Sequence, residues 1–153
     1  MKQKIIKKKN IDKKPCGCYR ETLSTPADAI MAVAILAVAS DGKLKKKEID
    51  NLKEILISNP LFDKVEDAGE YMGCIAAAIV AEGRDSVLEA SADLLSRSLR
   101  ETAYAWAVYM VATDRKFVKP EHRLLEALRK KLGLHGELAG KINAVIPMLG
   151  RIK

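Results

Sequence analysis

Aromatic side chains are scarce in this sequence: one Trp, four Tyr and two Phe make up 5% of the chain. Trp106, Tyr104 and Tyr109 fall within one segment and read as core. Basic residues are not interleaved with them, which excludes a base-stacking nucleic-acid platform. Cysteine is rarer still. Three cysteines cannot form a disulfide framework, and the odd count leads us to expect reduced thiols in a cytoplasmic protein. Cys16-Gly17-Cys18 could serve redox chemistry or supply half a soft-metal site. No second Cys or His pair stands at zinc spacing, however, and a closed zinc site takes four ligands. Cys74, inside Cys74-Ile75-Ala76-Ala77-Ala78-Ile79, reads as a small core residue. The two histidines, His122 and His135, have no nucleophile signature beside them. With no glycine-rich phosphate loop and no H-E-x-x-H motif, the chain reads as non-enzymatic.

Long hydrophobic runs are missing too. The apolar run Ala29 to Ala39 has eleven residues, whereas a bilayer span needs about 20. Its end, Ala37-Val38-Ala39, imitates a signal-peptidase site behind a basic start. Glu21 and Asp28 interrupt that pattern, and its recurrence deep in the chain argues against a secretion signal.

What is present is enough for a core. A chain of 153 residues buries roughly 70% of its unfolded surface without disulfides or a structural metal. The 27 Lys and Arg against 20 Asp and Glu give a net charge of +7, and its location matters. Residues 1–14 hold seven lysines and one aspartate, net +6, which leaves +1 for the remainder. The expected organisation is a basic, disordered tail over 1–22 and one domain over 23–153. The tail offers a contact for an anionic membrane surface or nucleic acid, while the domain is close to neutral.

Helix signals fill that domain. Thr25, Pro26 and Asp28 supply a hydroxyl cap, a first-turn proline and an acid at the positive dipole end, for a helix running to about Ser40. Asp41-Gly42 breaks it. Ile49, Leu52, Ile55 and Leu56 then carry helical spacing over 48–57, ended by Asn59-Pro60. Asp63 with Glu66 predicts a third helix to about Ala81. Ser86 with Glu89 predicts a fourth after a turn at 82–85. A fifth spans 101–113, a sixth starts at Pro120 and closes at Gly133, and a seventh covers 137–149. No strand-type alternation occurs.

An internal repeat at an offset of 73 residues organises these helices. Positions 38–55 and 111–128 are identical at seven of eighteen places, and Ala32 and Ala34 match Ala105 and Ala107. Each copy is an apolar helix, a turn bracketed by an aspartate and a glutamate seven positions apart, and a charged amphipathic helix. The expected fold class is therefore all-α, with about seven helices and two pseudo-symmetric helix hairpins.

The bracketing acids are the candidate site. Asp41 and Asp114 stand at the negative end of a helix dipole, a placement that calls for a partner. One reading gives them turn amides, with Glu48 and Glu121 capping the following helices. The other brings Asp41, Glu48, Asp114 and Glu121 together as an all-oxygen site for calcium, magnesium or manganese. The loop is not an EF-hand. Lys43, Lys45, Lys46 and Lys47 crowd the first copy and oppose a divalent ion.

The run Leu36-Ala37-Val38-Ala39-Ser40-Asp41-Gly42, Glu48, the stretch Asn59-Pro60-Leu61-Phe62-Asp63 and the ending Lys131-Leu132-Gly133-Leu134 resemble the TerB family of tellurite-resistance proteins. Domains related to that family precede the J-domain in some DnaJ-like co-chaperones. The resemblance spans roughly 28–135. It implies an all-helical fold of about seven helices, a bacterial cytoplasmic stress-response setting and an ion site on Asp41, Glu48, Asp114 and Glu121. Arg115 stands where the family usually has glycine, and lysines replace the usual serine and acids in the first loop. Two other roles stay open: a helical protein-interaction domain serving a co-chaperone or membrane-complex partner, and a domain attached through its polybasic tail.

Overall fold

The computed structural model describes residues 23–39, 43–113, 119–146 and 148, with the side chains of all of these except 113 and 119–122. The expected tail over 1–22, with Cys16 and Cys18, lies outside the described residues, as do Asp41 and Asp114. Among the described residues the chain is all-α, with no strand. Its helices are α1 (Pro26–Val38), α2 (Lys46–Ser58), α3 (Ala68–Glu82), α4 (Arg84–Leu94), α5 (Arg97–Thr113), α6 (Lys119–Leu132) and α7 (Gly136–Val145). None is long and apolar enough to cross a membrane.

The core is built around α1. Ten of its thirteen residues, Asp28 through Ala37, are buried, so this helix is apolar on every side rather than amphipathic, the pattern of a helix enclosed by others. Alanines at 29, 32, 34 and 37 keep its girth small, and α5 and α4 pack most extensively against it. Its start is a complete capping box. Thr25 Oγ1 accepts from Asp28 N at 3.1 Å, and Asp28 Oδ2 accepts from Thr25 N at 3.3 Å, satisfying two orphan backbone donors at once.

The hairpins α1–α2 and α5–α6 pack against each other. α1 lies on α5, α2 touches α5 and α1 touches α6, a set of contacts that exchanging the two hairpins leaves unchanged. Helices α3 and α4 fill the space between them in sequence, and α7 returns to α5.

Three helix starts differ from the sequence reading, and α7 ends at Val145, short of the expected 149. The third helix is capped not by Asp63 but by Asp67, whose Oδ1 accepts from Glu70 N at 2.9 Å. Residues Pro60–Phe62 form a 3-10 turn instead, with Asn59 Oδ1 taking Leu61 N at 2.9 Å. Tertiary packing decides this: Phe62 is buried and meets Tyr71 edge to face, centroids 6.0 Å apart, so the chain must turn before α3 can start. Helix α4 begins two residues before the Ser86–Glu89 pair. Gly83, at φ +88°, both ends α3 and starts α4, which places Ser86 inside the first turn. Helix α5 begins at Arg97 rather than Glu101, with Ser96 Oγ accepting from Leu99 N at 3.3 Å.

Two helix ends converge on α5. The Arg100 guanidinium donates to Ala92 O at 2.8 Å and Leu95 O at 3.2 Å, at the end of α4, and to Leu132 O at 3.2 Å, at the end of α6. One cation thus answers the exposed carbonyls and the negative dipole ends of two helices. Gly133 completes the α6 terminus at φ +70°. Its N–H donates to Lys130 O and Leu134 N to Arg129 O, both at 3.1 Å, which is a Schellman closure that favours glycine.

Candidate functional site

The third residue of a helix is where a carboxylate can reach back to the preceding amides. Asp28 holds that place in α1 and Glu48 in α2, and both are buried, at 3% and 5% exposure. Glu121 holds the equivalent place in α6. The 73-residue repeat therefore corresponds to matching helix positions.

The two buried acids differ in how well they are satisfied. Asp28 accepts from Ser24 N, Ser24 Oγ and Thr25 N, and from the Tyr71 hydroxyl of α3 at 2.8 Å. It is a structural tether between α1 and α3. Thr25 and Asp28 signalled the cap, but nothing in the sequence signalled Tyr71, 43 residues on. Glu48 Oε1 accepts from Lys45 N at 2.9 Å. The reciprocal half of a capping box is closed to it, because a lysine side chain has no acceptor. That amide is its hydrogen-bond partner among the described residues, and a carboxylate offers about four acceptor sites.

Asp41 and Asp114 belong to the connections between the helices of each hairpin, outside the described residues. Among the described residues, no three His, Cys, Asp or Glu gather as a cation would need, so an ion site on the four predicted acids must draw on both connections.

The aromatic residues divide between core and surface. Tyr104 is buried and donates its hydroxyl to Asn143 Oδ1 of α7 at 3.0 Å. Burial pushes its phenol above the ordinary tyrosine range. Trp106 and Tyr109, expected in the core, pack against it but are only half-buried. They meet edge to face at 5.4 Å and line a groove with Glu54 and Ser58 of α2 and with Ile146. Ile57, at 81% exposure, extends apolar surface along α2.

Cys74 is a buried thiol in α3, as its apolar setting predicts. Arg84, Arg123 and Lys131, which the sequence did not group together, converge from α4 and α6 around a second concavity. They stand too far apart in sequence to form a motif. Comparison with protein-family models, with curated proteins and with solved structures finds no match for this chain.

Proposed function

We propose that this chain is a non-enzymatic, TerB-like module of the tellurite-resistance and stress-response kind, acting in the bacterial cytoplasm. In this reading Asp41, Glu48, Asp114 and Glu121 hold a divalent cation: calcium, magnesium or manganese. The observation that supports it is Glu48, a carboxylate at 5% exposure with one amide partner among the described residues. Buried polar groups are normally paired, and hard cations take carboxylate oxygens. Asp28, equally buried and at the same helix position, shows what a fully paired structural acid looks like in this fold. Calorimetric titration of the full chain with each ion is the test. Heat and a thermal shift that vanish in Asp41→Asn, with helicity retained, are the expected result. No heat and no shift at about 1 mM ion, the weak end of calcium-site affinities, would end the metal reading.

A second reading, a helical interaction domain for a co-chaperone or membrane-complex partner, is favoured both by the groove lined by half-buried Trp106 and Tyr109 and by exposed Ile57 of α2. Apolar patches rimmed by polar residues mark interaction surfaces. Its signature is a silent ion titration together with a purified partner whose binding is lost in Trp106→Ala. The polybasic tail would add attachment to an anionic surface, recognised by salt-sensitive binding that disappears on deleting residues 1–14.

A further inference from the structure

Away from the acidic connections, a cavity of about 300 Å³ opens between the start of α4 and one face of α6. Its apolar wall is Leu88, Leu124 and Ala127, closed from behind by buried Leu36 and Leu128. Arg84, Arg123 and Lys131 stand around it. Asp85, 3.6 Å from Arg84 Nε, is the one acid on the lining. Three cations less one acid leave the lining at +2.

Arg123 and Lys131 lie eight residues apart on α6, close to two helical turns, so they share one face. Among the described residues neither has an ion-pair partner. Arg129, on the same helix, shows the contrast. It is committed to Glu126 at 2.6 Å and to Leu134 O at 2.8 Å. The start of α4 adds to the positive field, since Gly83 provides no side-chain cap for its first amides.

Water solvates the three cations but gains nothing against the leucine wall. An inorganic anion answers the cations and leaves the wall uncovered, while a neutral hydrocarbon does the reverse. Only a ligand with both parts satisfies the cavity, whose volume is at the small end of those that take organic molecules. We propose that the α4–α6 cavity binds an amphipathic anion: a phosphate monoester or carboxylate head, held by Arg84, Arg123 and Lys131, on a short alkyl or aryl arm lying against Leu88 and Leu124. Arginine suits such a head because its planar fork meets two oxygens together.

The test is amide chemical-shift titration of the full chain with octyl phosphate, inorganic phosphate and octyltrimethylammonium. Octyl phosphate should bind at least tenfold more tightly than either of the others, with shifts centred on Arg84, Leu88, Leu124 and Ala127. The double variant Arg123→Gln/Lys131→Gln should lose at least tenfold in that affinity. Lys53→Gln/Lys141→Gln removes the same charge elsewhere and should lose none. Equal binding of octyl phosphate and inorganic phosphate would overturn the proposal. So would an equal loss in the control variant, which would reduce the effect to bulk charge, or shifts centred elsewhere. Phosphatidic acid vesicles identify the source of the head. Weaker co-sedimentation of Arg123→Gln/Lys131→Gln than of the parent assigns it to a membrane lipid, and equal co-sedimentation beside tenfold weaker octyl phosphate binding assigns it to a free metabolite.

Discussion

Arg100 of α5 ties the ends of α4 and α6 to its own helix. Its guanidinium makes three hydrogen bonds, to Ala92 O, Leu95 O and Leu132 O, all to carbonyls at helix ends. A hydrogen bond with one charged partner contributes about 1.5–3 kcal/mol when well buried. Arg100 is only half-buried, and water can reach part of what it leaves behind, so about 1 kcal/mol per bond is the appropriate scale. Arg100→Ala should therefore cost about 3 kcal/mol, which for a domain of this size lowers Tm by roughly 6–12 °C. Arg100→Lys keeps the charge near both helix dipoles but cannot span three carbonyls from one ammonium, and should lose about 2 kcal/mol. Urea denaturation followed by circular dichroism measures both. A loss below about 0.5 kcal/mol for Arg100→Ala, the size of an ordinary surface substitution, would refute the argument. A lysine variant as stable as the parent would show that charge alone matters and that the fork geometry does not. Because α4 and α6 also wall the cationic cavity, Arg100→Ala should weaken octyl phosphate binding without touching a lining residue.

Further expectations concern the core and its buried polar groups. Tyr71→Phe removes one donor from buried Asp28 while the Ser24 and Thr25 donors remain, so it should cost about 1–2 kcal/mol in denaturant titration. Ala34→Leu adds volume at a residue with 0% exposure inside a helix enclosed on all sides and should cost about 1–3 kcal/mol or more, seen as a lower urea midpoint. Burial raises the Tyr104 phenol, so the folded state holds that proton more tightly than the unfolded chain. Its contribution is fully present below the unfolded value of about 10 and is lost as pH rises towards the folded value. Stability measured from about pH 9 to 11 should fall more steeply in the parent than in Tyr104→Phe, and parallel curves would contradict the assignment.

Local signals and tertiary demands agree in some elements and conflict in others. Thr25-Pro26-Ala27-Asp28 starts α1, and Gly133 ends α6, because caps and left-handed closures need only neighbours within one turn. At Asp63-Glu66 the same kind of signal fails. A cap three residues long is worth about 1 kcal/mol, and burying Phe62 against Tyr71 outweighs it, handing the role to Asp67. Trp106 shows a related limit: an aromatic in an apolar helix looks like core, yet it packs half-buried at the core's margin while Ala103, Ala107 and Val108 of the same helix are fully enclosed.

The sequence by itself determined the helical class, the number of helices, the doubled hairpin and the four repeated acids, because periodicity, caps and repeats are properties of residues near one another or at a fixed offset. Only the tertiary structure decided which of those residues matter together. Asp28 and Glu48 both stand in the first turn of a helix, and packing separates them beyond the local difference of Thr25 and Lys45, supplying Tyr71 to the first while burying the second beside one amide. Arg100 joins two helix ends 40 residues apart. Arg84 meets Arg123 and Lys131 across the space between α4 and α6. Such convergence is set by how helices cross and by which faces their small residues allow to approach, and no local pattern encodes it.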